Sequence, residues 1–316
     1  MFTREDLKTL QKLPFGMKIQ KSIAKIIEWY VRHEGKVYCS FSGGKDSTVL
    51  LHLIRSQFPE VPAVFVNTGL EYPEVVAHVQ TYDNVTILRP KKNFRQVIGD
   101  HGVPVVSKDV AGVMCAYRRG KEWAAERLSE NANEFRKGLY RKWQFLKDAP
   151  LKISNICCYH MKEAPLHKFA RQTGLKPYVG TLAAESRVRT QGWLKVGCNS
   201  FTTGKRARSA PLSFWTEEDI LAYIKYHNLP IAKVYGEVVD TDKGLATTGC
   251  ERTGCMFCLF GCHLEKQPNR IQKMALTHPK QYEYCLRDFE DGGLGLRKVM
   301  DYVGIPHEPL EEQNND

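Results

Sequence analysis

Residues 39–51 read Cys-Ser-Phe-Ser-Gly-Gly-Lys-Asp-Ser-Thr-Val-Leu-Leu, an apolar run broken by two glycines and a lysine before a second apolar run begins. Where such a junction joins a strand to a helix, backbone N–H groups and the positive end of the helix dipole converge on one point, which suits phosphate. Gly43 and Gly44 admit a close approach, Lys45 adds a compact cation, and Ser42 and Ser47 add hydroxyl donors. The spacing is not that of the Walker loop, whose glycines stand further apart. Asp46 could help hold Mg²⁺ beside a triphosphate, or serve only as an acid at a helix N-terminus.

The other chemistry-bearing groups are thiols. Of ten cysteines, Cys157 and Cys158 are adjacent, and Cys250, Cys255, Cys258 and Cys262 fall within the run TGCERTGCMFCLFGC. A C-x-x-C pair puts two thiolates around one metal atom or one cluster corner, and a second pair must come from elsewhere. Cys39, Cys115 and Cys198 stand alone and read as small hydrophobes. No apolar block of signal-peptide type opens the chain, so metal or redox chemistry is expected in preference to disulfides, in a cytoplasmic protein. No window is apolar for long enough to span a membrane.

These residues need elements to place them. The spacing of Ile19, Ile23, Ile26, Ile27 and Tyr30 predicts a helix over 18–34, stopped by Gly35. Strands are expected at 36–41, 61–66 and 85–88, with helices at 46–56 and from 73 to 80, an alternation that indicates a parallel sheet with right-handed crossovers. Residues 117–147 read as a charged helical insertion with Trp123, Leu128, Phe135, Leu139, Trp143 and Leu146 pointing inward. A helix over 161–172 closed by Gly174, a strand at 178–181, and a helix capped by Thr216 and Asp219 follow. Beyond Pro230 the pattern turns irregular and cysteine-rich, Cys285 lies in a helical context, and the acidic end is expected to fray. The expected organisation is an N-terminal helical segment (1–35), a nucleotide-binding domain (36–230) and a cysteine-rich C-terminal region (231–316).

The run FSGGKDST resembles the PP-loop of the ATP pyrophosphatase and phosphoadenosine phosphosulfate (PAPS) reductase superfamily. Asn67-Thr68-Gly69 through Glu74 is similar to that family's D-T-G-x-x-x-P-E segment, and Gly180 to Arg187, with Glu185-Ser186-Arg187, to its G-x-R-x-x-E-S-R element, although Leu182 stands where arginine is usual. Pro211 to Thr216, His227 to Pro230 and Tyr235 match its later motifs, so the resemblance spans about residues 36–262. It implies a doubly wound, mostly parallel α/β sheet of the adenine nucleotide alpha hydrolase-like kind. It also implies nucleotide binding by Ser42, Gly43, Gly44, Lys45, Asp46, Ser47, Asn67, Thr68, Gly69, Glu185, Ser186 and Arg187, with Lys45 and Asp46 catalytic and Arg187 or Arg189 on phosphate or the acceptor backbone.

Two ligand sets follow from the resemblance. Cys157-Cys158 with Gly254-Cys255-x-x-Cys258 resembles the 4Fe-4S set of adenylyl-sulfate reductases. Cys250, Cys255, Cys258 and Cys262 would instead form a compact cluster like that of the ATPases of DNA phosphorothioation, and structural zinc is the alternative occupant. The intact Gly-Gly-Lys-Asp-Ser resembles members that split ATP into AMP and pyrophosphate, whereas reductases usually lack this lysine. Those reductases also carry a mobile cysteine in a C-terminal tail, and GIPHEPLEEQNND has none. The implied function is ATP-dependent activation of an acceptor, DNA or tRNA, for sulfur transfer from a cysteine desulfurase or another donor. The alternatives are an iron-sulfur reductase of PAPS or adenylyl sulfate, and a non-catalytic nucleotide- or nucleic-acid-binding component with a structural metal. A formal charge of +11 suits polyanionic partners.

Overall fold

Val37, Tyr38 and Cys39 form a short apolar run with both faces buried, as parallel strands require, and the first strand lies there. The structure is a computed structural model that describes residues 2–129, 134–201 and 207–310, with residues 134–137 described by their backbone alone. In chain order its strands are β1 (Val37–Ser40), β2 (Ala63–Val66), β3 (Val85–Leu88), β4 (Val105–Val106), β5 (Lys176–Val179), β6 (Asn199–Ser200), β7 (Arg208–Ser209), β8 (Val238–Thr241), β9 (Gly244–Thr247) and β10 (Leu259–Phe260).

The chain divides into two compact units, and neither is continuous in sequence. The first comprises Met1–Asn67, Glu71–Arg89 and Pro165–Thr253; the second comprises Thr68–Leu70, Pro90–Ala164 and Gly254–Asp316.

The first unit holds a six-stranded sheet in the order β3-β2-β1-β5-β7-β6. Cys39 sits opposite Ala63 on one side and Tyr178 on the other, all in parallel register, and β6 runs antiparallel to β7. The chain moves outward from β1 to β3 and then returns to β5 on the other flank of β1. The crevice at the C-terminal end of β1 is therefore the topological switch point, where doubly wound sheets take their ligands. The fold class is the mostly parallel, doubly wound α/β arrangement that the sequence implied.

Helices cover this sheet where apolar spacing demands it. The helix expected at 18–34 runs Phe15–Arg32, and it buries Ile26 and Trp29 completely. Tyr178 Oη on β5 donates to Ile26 O at 2.7 Å. Gly35 ends the segment at φ +72°, a conformation glycine adopts without cost. The helix after the loop runs Lys45–Arg55, and Pro73–Gln80 falls where expected.

The second unit is mainly helical, with β4 and β10 paired in parallel through Leu259 opposite Val105. Two expectations for the insertion are corrected. Trp123 and Leu139 are 47% and 42% exposed, while Leu128, Trp143 and Leu146 are buried. Trp123 lies in the first turn of the short Glu122–Leu128 helix, where the Arg127 guanidinium covers its ring at 5.0 Å. The side chain of Phe135, the Lys205-Arg206 pair and residues 311–316 of the acidic end lie outside the described residues. The region beyond Pro230 is more regular than the sequence suggested, with helices Arg270–Thr277, Pro279–Leu286 and Leu296–Val303. No helix among the described residues is long and apolar enough to cross a membrane.

Candidate functional site

The loop at 42–47 braces itself with the hydroxyls that the sequence offered to a ligand. Ser42 N donates to Ser47 Oγ at 3.2 Å, the two serine hydroxyls lie 3.0 Å apart, and Ser47 Oγ donates to Gly44 O at 2.8 Å. Gly43 sits at φ +72°, and a Cβ there would stand 2.7 Å from both Val75 Cγ1 and Val79 Cγ2. Conformation and space therefore both require glycine at this position. Gly180, after β5, lets the backbone of Asp46 and Ser47 approach, since a Cβ would lie 3.2 Å from Asp46 O.

Above the loop opens a cavity of about 340 Å³, all of it within the first unit. Three cations and three carboxylates line it: Lys45, Arg189 and Arg252, with Asp46, Glu185 and Glu217. Lys45 is almost fully buried. Its Nζ pairs with Glu217, donates to Glu251 O at 2.6 Å and lies 5.5 Å from the centre of the Tyr235 ring. Arg189 and Arg252 both pair with Glu185. Each cation thus rests on an internal carboxylate, and a phosphate could replace that carboxylate because both are planar or tetrahedral oxyanions that a guanidinium or ammonium recognises alike.

Asp46 is the exception. Its Oδ1 is buried with no hydrogen-bond partner among the described residues. Burial, followed by the charge of Glu217, pushes its carboxyl up to about 6, against the pull of Lys45, Arg252 and Arg189. A buried oxygen in this state is a fitting seat for a divalent cation.

The remaining sequence-predicted residues divide. Ser186 caps the helix Arg187–Val196 by accepting from Arg189 N at 3.2 Å. Arg187 is exposed, and it is Arg189 that lines the cavity. Asn67 belongs to the first unit, where its amide donates to Leu88 O at 2.9 Å. Thr68 and Gly69 belong to the second; Thr68 Oγ1 accepts from Leu70 N at 3.2 Å, and Gly69 has φ +74°. Glu217, Arg252 and Thr253 line the cavity without having been singled out for it. Glu217 was hidden inside a helix-capping pattern, and Arg252-Thr253 stand directly before Gly254-Cys255, which was the only signal available.

All ten cysteines are thiols. Cys157, Cys158, Cys255 and Cys258 fall in the second unit, and Cys250 in the first. Cys157 hydrogen-bonds to Cys158 and feels Cys258 and Cys255 as well; that pairing raises Cys157 and lowers Cys158, with Lys108 and Lys162 favouring the Cys158 thiolate. Cys258 also feels Cys158, and its thiol is raised chiefly by burial. Cys157 thus feels each of the other three thiols, and thiolates are the donors that an iron-sulfur cluster takes. Among the described residues no three His, Cys, Asp or Glu side chains gather closely enough to hold a single ion. Cys262 is buried and influenced by Cys258, and Cys285 is fully buried with its thiol pushed up to about 12.

The phosphoadenosine phosphosulfate reductase domain family matches residues 36–105 and 117–259. An adenosine 5'-phosphosulfate reductase of Staphylococcus haemolyticus is 29% identical over 216 residues, covering 66% of this chain and 70% of that relative. Among solved structures, the phosphoadenylyl-sulfate reductase of Candida auris in complex with phosphate aligns over 74% of this chain and 91% of its own, at 15% identity and a TM-score of 0.40. A tRNA thiolase of Methanococcus maripaludis with its 4Fe-4S cluster aligns over 87% and 80%, at 14% identity and a TM-score of 0.36.

Proposed function

Because the chain belongs to the phosphoadenosine phosphosulfate reductase domain family, we propose that it binds ATP on the 42–47 loop and cleaves it to AMP and pyrophosphate, activating an acceptor for sulfur transfer. The observation that carries this reading is Lys45, buried in the cavity wall within an intact Gly-Gly-Lys-Asp loop at the switch point of the sheet. An acceptor oxygen attacks the α-phosphorus, the bond to the bridging oxygen breaks, and pyrophosphate departs with that oxygen's electron pair. A sulfur nucleophile then displaces AMP from the acceptor.

Lys45 and the loop amides stabilise the charge on departing pyrophosphate, and Arg189 and Arg252 orient the phosphates once these displace Glu185. Asp46 would help hold Mg²⁺, directly or through water, and the ion would supply further charge neutralisation. Cys157, Cys158, Cys255 and Cys258 would hold a 4Fe-4S cluster, which supplies sulfur-binding or redox chemistry. The acceptor fits DNA or tRNA, whose phosphates suit the basic chain, with a cysteine desulfurase or a comparable donor providing sulfur.

A second reading, reduction of adenylyl sulfate or PAPS, is favoured by the names of relatives such as the Staphylococcus enzyme. It requires a thiol that attacks sulfur, and Cys285, buried in a helix and pushed up to about 12, does not offer a thiolate. An external thiol would be needed.

Calorimetric titration of anaerobically purified protein with Mg-ATP and with PAPS tests the choice. Tighter ATP binding that Lys45→Ala abolishes, with release of pyrophosphate, is the expected result. Preference for PAPS with sulfite release would establish the reductase, and binding without turnover of either nucleotide would leave a non-catalytic component.

A further inference from the structure

The helix Arg270–Thr277 opens on a clamp that reaches back to Cys258. Glu265 Oε2 accepts from Arg270 N at 2.8 Å, its Oε1 accepts from Arg270 Nε at 2.6 Å, and Arg270 Nη2 pairs with the same oxygen. The guanidinium keeps Nη1 for the carbonyl oxygen of Cys258, 3.3 Å away. All of these residues belong to the second unit, as do Cys157, Cys158 and Cys255.

Both ends of the clamp are anchored. Buried Asn269 caps the helix by accepting from Ile271 N and Gln272 N at 2.9 and 3.1 Å, and Gln272 Oε1 answers by accepting from Asn269 N at 2.9 Å. Arg270 is therefore the first helical residue, whose amide needs an acceptor outside the helix, and Glu265 supplies one at the positive end of the dipole. On the other side, Leu259 and Phe260 pair with β4, and Gly261 N donates to Val106 O at 2.8 Å, which fixes the chain directly after Cys258.

The Arg270 and Glu265 side chains are 32% and 29% exposed, so water screens their charges only in part. Burial raises the Cys258 and Cys262 thiols; Arg270 opposes it at both, and Glu265 adds to it at Cys262. Reduction adds negative charge to a thiolate-bound cluster, so a nearby cation raises its potential and a nearby anion lowers it. We propose that Arg270 and Glu265 are a positioning pair for the cluster: Arg270 fixes Cys258 through its carbonyl, and the two opposite charges together set the reduction potential of the group that Cys258 helps to hold. The inference rests on the proposed iron-sulfur reading. It stands whichever ligand set applies, because Cys258 is in both.

Potentiometric titration of the full chain, reconstituted anaerobically with iron and sulfide and followed by electron paramagnetic resonance, tests the pair. Arg270→Gln leaves the Glu265 carboxylate uncompensated and should move the midpoint to lower potential. Glu265→Gln leaves the guanidinium uncompensated and should move it to higher potential. Arg270→Lys keeps the charge but loses the fork; its midpoint should stay nearer the parent's than that of Arg270→Gln, while iron passes to a chelator about tenfold faster than from the parent. Loss of a mere brace would act alike in the two glutamine variants, since both break the same contacts. Shifts of one sign, or none, in that pair would therefore overturn the proposal. If circular dichroism shows either glutamine variant unfolded, Arg270→Lys decides, and iron release at the parent's rate overturns the proposal. A parent that takes up no iron, or holds zinc in its place, sinks the iron-sulfur reading and this inference with it, whereas a loaded parent whose potential these substitutions leave unmoved sinks the inference alone.

Discussion

Lys18 and Asp219, 201 residues apart in sequence, form a buried ion pair in which Nζ lies 2.8 Å from Oδ1 and 2.7 Å from Oδ2. The same carboxylate closes the cap on Thr216, accepting from its amide at 2.8 Å, and the next residue is the Glu217 that pairs with Lys45. A charge on the helix Phe15–Arg32 thus sets the start of the helix that carries a cavity carboxylate.

Lys18→Met should therefore destabilise the protein by about 3–5 kcal/mol, because it strands an anion away from water. Urea unfolding should show the loss, and Lys18→Met with Asp219→Asn should recover part of it. Equal loss in the single and double variants would mean that packing of the lysine stem, not charge, is what matters.

Releasing the cavity cations should help an anion. Glu185→Gln frees Arg189 and Arg252 from a partly solvated pairing, and nucleotide affinity should rise about two- to fivefold in calorimetry. A fall would show that Glu185 touches the nucleotide in its own right.

Asp46 predicts a pH dependence. Its carboxyl binds a proton more tightly in the folded chain, near 6, than in the unfolded chain, near 3.8. Its favourable contribution is therefore complete below the unfolded value and is lost as pH rises through the folded one. Asp46→Asn should be more stable than the parent by about 2–3 kcal/mol at about pH 7.5, with the gap closing toward about pH 4. Denaturation at a series of pH values measures it, and a pH-independent gap would count against a buried, ionising Asp46.

The two cysteine sets make opposite demands. Cys157→Ser or Cys158→Ser should lower iron content and the visible absorbance of anaerobically purified protein, and Cys250→Ser should leave both in place. Loss with Cys250→Ser but not with Cys157→Ser would install the local set.

Much of the cavity above the 42–47 loop could be read from the sequence because strand, glycines, lysine and helix are contiguous, so local chemistry and local structure coincide at 40–55. Glu217 could not be read this way, since only the fold brings it to Lys45 from 172 positions away. The capping box at Thr216 and Asp219 was legible because its partners are three residues apart. The helix Arg270–Thr277 was not, although Asn269 and Gln272 make the same kind of cap, because neighbouring cysteines and proline drew the reading toward irregular structure. Trp123 misled because a large apolar side chain signals a core only when its helix turns that face inward.

The split of the first unit has a consequence for the nascent chain. β1, β2 and β3 emerge from the ribosome early, but β5, the other neighbour of β1, follows only after Pro90–Ala164 has been made for the second unit. For on the order of ten seconds of synthesis the edge of β1 stands open. A chain cut short before Pro165 would keep that edge unpaired beside apolar Val37 and Cys39, and should be a substrate for chaperones and aggregation before it could be a partial enzyme.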